Sequence, residues 1–150
     1  MKNLIKKTKI ILMIISTASL LFACSSDSNS TQNTQVSLIN KWFINKWVYN
    51  NVNRTLTECD KQGYIKFNSD GTFERKTYNL NGTNCESDSV DNGTYTFNTT
   101  ANKIIINFDD PDEGAQVETY NNVELTNTTL KYTWDEDGNG TDEYNLEFNK

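Results

Sequence analysis

The sharpest chemical motif in the sequence is Asp135-Glu136-Asp137-Gly138-Asn139-Gly140-Thr141-Asp142-Glu143. Oxygens at Asp135, Asp137 and Asn139, with Gly140 turning the chain, match the first half of a calcium loop. The bidentate glutamate that closes such a loop is missing, because its position is Leu146. No helical pattern flanks the segment, so a polar hairpin loop with no cofactor is the competing reading. Other chemistry is sparse. The chain has no histidine, which excludes Ser-His-Asp and Cys-His arrangements and His-based metal sites. No glycine-rich phosphate loop joins a strand to a helix. Acid pairs can hydrolyse glycosides, but Asp109-Asp110 and Asp112-Glu113 fall in loop-like stretches. The expectation is a protein that is not an enzyme, with no catalytic residue assigned.

Three cysteines remain to be placed. Cys24 ends an export-type leader: Met1, four early lysines (Lys2, Lys6, Lys7, Lys9), then an apolar run over 10–22. A basic start, a short apolar middle and a small residue at the end describe a secretory signal. The run is much shorter than the roughly 20 residues a bilayer-crossing helix needs. Its end, Leu21-Phe22-Ala23-Cys24, resembles the lipobox of bacterial lipoproteins, in which the cysteine is lipidated and becomes the new N-terminus. Residues 1–23 are therefore expected to be a lipoprotein signal peptide. Two or more acyl chains on Cys24 would give stable membrane attachment, at about 0.8 kcal/mol per buried CH₂. Residues 24–37 read as the lipidated cysteine and a disordered tether, since 25–35 hold no apolar residue and have nothing to bury. Ser25 after the cysteine resembles an outer-membrane address. The expected location is the bacterial cell envelope, lipid-anchored in the outer membrane, with its periplasmic or surface face open.

In an oxidising compartment the other two cysteines, Cys59 and Cys85, read as a disulfide. The hairpin turn Asn68-Ser69-Asp70-Gly71 supports this: pairing Phe67 with Thr72 puts Cys59 opposite Leu80, with Cys85 a few residues further on. Two free thiols or a metal site are the alternatives.

The chain carries 14 Lys plus Arg against 20 Asp plus Glu, and four of the lysines lie in the leader, so processing leaves a formal charge of −10. Nucleic-acid binding needs a basic patch to neutralise phosphates, and none is visible. Membrane contact is expected through the N-terminal lipid alone. The sequence identifies no protein partner.

The elements that must carry any site have a period of two, broken by turn residues. Strands are expected at 42–49, 64–67, 72–79, 93–98, 103–108, 116–125, 130–134 and 143–148, with 36–43 able to start as a helical turn. Residues 80–92 and 109–115 read as loops. On 116–125, Val117, Val123 and Leu125 share a phase. Eight strands in succession suit an all-β, antiparallel up-and-down barrel, which leaves no open edge; a β-sandwich is the structural competitor. Trp42, Trp47, Phe67, Phe73, Tyr95, Phe97, Tyr132 and Trp134 are the aromatics that could line its interior, or simply fill it.

The order of Lys41-Trp42 or Lys46-Trp47, Cys59, Phe67 with Asp70-Gly71-Thr72-Phe73, Cys85, Gly93-Thr94-Tyr95, Lys103-Ile104-Ile105-Ile106 and Leu125-Thr126-Asn127-Thr128-Thr129-Leu130 resembles the lipocalin-like domain of Bacteroidota lipoproteins. The resemblance covers nearly all of 38–150. It implies an eight-stranded barrel and, by analogy with lipocalins, room for an apolar ligand. Neither Trp42 nor Trp47 follows the family's opening glycine, so the sequence leaves open which of them closes the barrel base. Two functions compete: a barrel binding a small apolar ligand, and a filled barrel acting as a structural or interaction protein. An interior space of several hundred Å³ lined by aromatics separates them.

Overall fold

The computed structural model describes residues 36–150. The leader 1–23, Cys24 and the tether as far as residue 35 lie outside the described residues. The strands are β1 (Asn40–Tyr49), β2 (Val52–Arg54), β3 (Tyr64–Phe67), β4 (Thr72–Asn81), β5 (Asn84–Asn98), β6 (Lys103–Asp110), β7 (Gly114–Leu125), β8 (Thr129–Trp134) and β9 (Tyr144–Asn149), with a 3₁₀ turn at Asp60–Gln62. β3 to β9 pair in succession, and β1 pairs antiparallel with both β3 and β9. Eight strands thus close into an antiparallel barrel, and β2 is a ninth, short strand on the free part of β1. Closure removes the exposed edges that would template aggregation.

Alternation places the core. Along β6 buried and exposed residues alternate without a break, with Ile104, Ile106 and Phe108 inside, as the period of two predicts. Core residues from Leu38 to Phe148 form a single cluster. The disulfide lies within the same segment, so the domain carries its own core and can fold by itself.

Several local expectations are corrected. The turn after β3 pairs Phe67 with Phe73, not Thr72. Asn68 donates its N–H to the Thr72 carbonyl at 2.9 Å and Gly71 sits at φ 83°, a three-residue loop with a left-handed closing residue. That extra loop residue moves the register by one. Residues 80–92 are strand rather than loop: β4 and β5 extend to a tight turn at Gly82-Thr83, and Leu80 faces Cys85. The acidic loop shrinks to Pro111, Asp112 and Glu113 between β6 and β7. Residues 36–39 form no helical turn. β2 follows Asn50-Asn51, both at positive φ, a two-residue turn whose twist suits antiparallel strands.

On β7 the inward residue is Glu118, not Val117, which is 65% exposed. The pairing of β7 with β8 shifts between Asn121 and Glu124, and Asn122 has φ 52°. This bulge inserts one residue, so Tyr120 and Val123 both face inward although their parity differs. The glycine of Gly93-Thr94-Tyr95 marks a close approach: a Cβ there would lie 1.9 Å from the Asn107 carbonyl oxygen.

The disulfide joins Cys59, buried before the 3₁₀ turn, to Cys85 on β5. Of the two tryptophans weighed for the barrel base, Trp42 is the one sealed within the core. It is fully buried, its indole N–H donates to the Leu38 carbonyl at 2.8 Å, and the Lys150 ammonium lies 5.1 Å from its ring centre.

Candidate functional site

Halfway along the barrel the inward positions stop being apolar. Arg75 on β4 lies directly opposite Asp91 on β5, and Glu118 reaches them from β7. The Arg75 Nε donates to Asp91 Oδ2 at 2.8 Å. Its Nη1 and Nη2 donate to Glu118 Oε2 and Oε1 at 2.6 and 2.9 Å, a bidentate fork. Nη1 also donates to Tyr120 Oη at 2.9 Å, and Tyr120 donates to Glu118 Oε2 at 2.8 Å. Charges inside a fold persist only when paired and hydrogen-bonded, and these are. Burial pulls the Arg75 guanidinium downward, but Tyr120, Glu118 and Asp91 more than reverse it, so it holds its proton well above its usual range. Burial likewise pushes the phenols of Tyr120 and Tyr132 far up.

Beyond this cluster a cavity of about 320 Å³ opens between the strands. Arg75 and Asp91 form part of its wall. Its aromatic surface comes from Trp47, Tyr64, Tyr78, Tyr120, Tyr132, Trp134, Tyr144 and Phe148, contributed by β1, β3, β4, β7, β8 and β9. The rings brace one another: Tyr120 stacks on Tyr132 at 4.1 Å and Trp134 on Tyr144 at 4.9 Å between centroids. Trp134 and Tyr144 are direct cross-strand partners, while Tyr120 pairs with Trp134 and meets Tyr132 as its diagonal neighbour. The Arg54 guanidinium lies 4.4 Å from the Trp47 ring centre, and the buried Trp47 N–H has no partner among the described residues. Tyr144 donates to Glu136 at 3.0 Å. Burial, then this hydrogen bond, raises its phenol to about 12.

Of the eight aromatics singled out in the sequence, Trp47, Tyr132 and Trp134 line the cavity. Trp42, Phe67 and Phe73 are buried in the core, with Tyr95 and Phe97 packed against it. Sequence reasoning missed Arg75, Asp91, Glu118 and Tyr120. Arg75 was detectable, as it follows Phe73 by two residues and so shares its inward face. Glu118 was hidden by the bulge.

The acidic loop brings carboxylate oxygens of Asp135, Asp137 and Glu143 within 4.8 Å of one another. Glu143, rather than Leu146, thus approaches from the closing side. Asp135 accepts the N–H groups of Asn139 and Gly140, and Asp137 that of Asn139. The Asn139 side chain donates to Glu143 and accepts the Thr141 N–H.

A closed antiparallel meander around an aromatic-walled cavity is a barrel of the lipocalin type. The chain belongs to the lipocalin-like domain family, whose model matches residues 38–132. The crystal structure of a lipocalin-like protein from Bacteroides uniformis ATCC 8492 is similar in fold, with a TM-score of 0.50 and 15% sequence identity over 75% of this chain and 97% of that one. No curated protein sequence matches the chain.

Proposed function

We propose that the protein is a lipid-anchored envelope lipoprotein whose barrel binds a small, partly apolar ligand, and that it is not an enzyme. The observation that carries the binding reading is the cavity of about 320 Å³ walled by aromatic rings from six strands. Ligand sites usually run from roughly 300 to 1,000 Å³ and combine apolar walls with a few placed polar groups. Here Arg75, Asp91 and Glu136 are those groups. The leader 1–23 and the Leu21-Phe22-Ala23-Cys24 sequence support acylation of Cys24, attachment to the outer membrane and a tether ahead of the barrel.

Native mass spectrometry of the 36–150 domain from crude extract tests the binding. A bound small molecule is expected, and its loss in Leu146→Trp, which fills the cavity. An empty native domain that also fails to take up apolar probes sinks the reading. Palmitate labelling tests the anchor, with loss expected in Cys24→Ala and persistence refuting it.

A further inference from the structure

We infer that the cavity selects cationic ligands: a compact apolar body carrying an ammonium or similar positive group. This rests on the binding reading above and adds the charge of the ligand. The first observation is local charge balance. Arg75 donates to two carboxylates at once, Asp91 and Glu118. One guanidinium against two carboxylates leaves an excess negative charge inside the barrel. Arg75 is therefore not a free hook for an anionic ligand, since its donors already point at Asp91, Glu118 and Tyr120.

The second observation concerns Asp91. It is 7% exposed and stands in the cavity wall. Only its Oδ2 accepts a side-chain hydrogen bond among the described residues. The third is the remaining charged lining. Glu136 adds a carboxylate, Asp60 adds another that is paired with Arg54 at 3.5 Å, and Lys76 is the one further cation in the lining. Lys76 lies 5.2 Å from the Tyr78 ring centre. The fourth is the wall itself. Trp47, Trp134 and Tyr144 line the space, the Trp47 ring already holding one cation, the Arg54 guanidinium at 4.4 Å, and aromatic rings attract cations most strongly where water is excluded. Anions meet both the ring quadrupoles and the carboxylates unfavourably. The net charge of −6 on the chain favours the approach of the same class of ligand.

The test uses three probes of similar size on the 36–150 domain: 4-phenylbutyl-trimethylammonium, 4-phenylbutanol and 5-phenylpentanoate. Calorimetry at low ionic strength is expected to rank them cation, alcohol, anion, with the cation at least about tenfold tighter than the anion. Asp91→Asn removes the excess charge and leaves the Arg75–Glu118 fork in place. It is expected to cut the cation-to-anion ratio several-fold, with a cooperative melt showing that the variant folds. Anion binding equal to or tighter than cation binding overturns the charge inference and leaves the binding reading standing. So does an unchanged ratio in Asp91→Asn. If none of the three binds at millimolar concentration, both fall.

Discussion

Arg75 and Glu118 meet across the barrel interior from β4 and β7, joined by two hydrogen bonds of 2.6 and 2.9 Å. Together with the bond from Arg75 to Tyr120, the pair ties β4 to β7 across β5 and β6. Its two members are not equivalent. Removing Arg75 leaves Asp91 and Glu118 facing each other without a cation, and breaking a buried pair this way costs about 3–5 kcal/mol. Neutralising Glu118 leaves Arg75 balanced by Asp91, at about 1–2 kcal/mol. In urea denaturation Arg75→Leu is thus expected to be the more damaging by about 1–4 kcal/mol. Equal costs would show that charge balance does not govern the cluster.

The two tryptophans of β1 differ in the same way. The N–H of Trp42 is bonded to Leu38 and the residue is fully buried. The N–H of Trp47 is buried and has no partner among the described residues. Trp42→Phe removes a satisfied bond, strands the Leu38 carbonyl and leaves space at the base, for about 2 kcal/mol or more. Trp47→Phe removes an unsatisfied donor, so its cost is expected to stay below about 1 kcal/mol. Thermal melts of the two variants decide this; a larger loss in Trp47→Phe would contradict it.

The contrast shows what the sequence could convey. Two Lys-Trp pairs five residues apart look alike in composition, and strict alternation would put them on opposite faces of β1. The register irregularity between Ile44 and Lys46 brings Trp47 to the interior as well, and the two differ because Leu38 folds back under Trp42. The barrel itself was legible, since alternation such as Ile104, Ile106 and Phe108 needs no knowledge of partners. Bulges were not: the one at Asn121–Asn122 reverses the phase of β7 and turned Glu118 from an apparent outward residue into the partner of Arg75. The cavity was legible only as a set of aromatics, because which rings face open space depends on where Arg75 and Trp42 fill the rest.

The Cys59–Cys85 bridge spans 26 residues of sequence and clamps the 3₁₀ turn to the start of β5. In the chain-entropy model a loop of this size contributes about 3–4 kcal/mol, which for a domain of this length is roughly 10–15 °C in Tm. The double variant Cys59→Ala/Cys85→Ala is expected to melt lower by that amount and to lose its response to dithiothreitol. A wild-type Tm unaffected by complete reduction would rule out a stabilising role.

Alkaline stability follows from the tyrosines. The fold raises Tyr64 to about 12, chiefly through its hydrogen bond to Glu74 and then burial. It raises Tyr144 to about 12 through burial and its bond to Glu136, and burial lifts Tyr120 and Tyr132 further. An unfolded tyrosine titrates near 10. Each of these groups binds its proton more tightly when folded, so its contribution to stability is complete below about pH 10 and is lost as pH rises through the folded value. Urea midpoints are therefore expected to change little from pH 7 to 9 through these groups and to fall steadily from pH 10 towards 12. Absorbance at 295 nm should show Tyr120 and Tyr132 ionising only as the barrel opens, because their phenolate forms would sit among apolar rings and beside Glu118. If every tyrosine ionises near pH 10 while the barrel remains folded, the burial assigned to these rings is wrong.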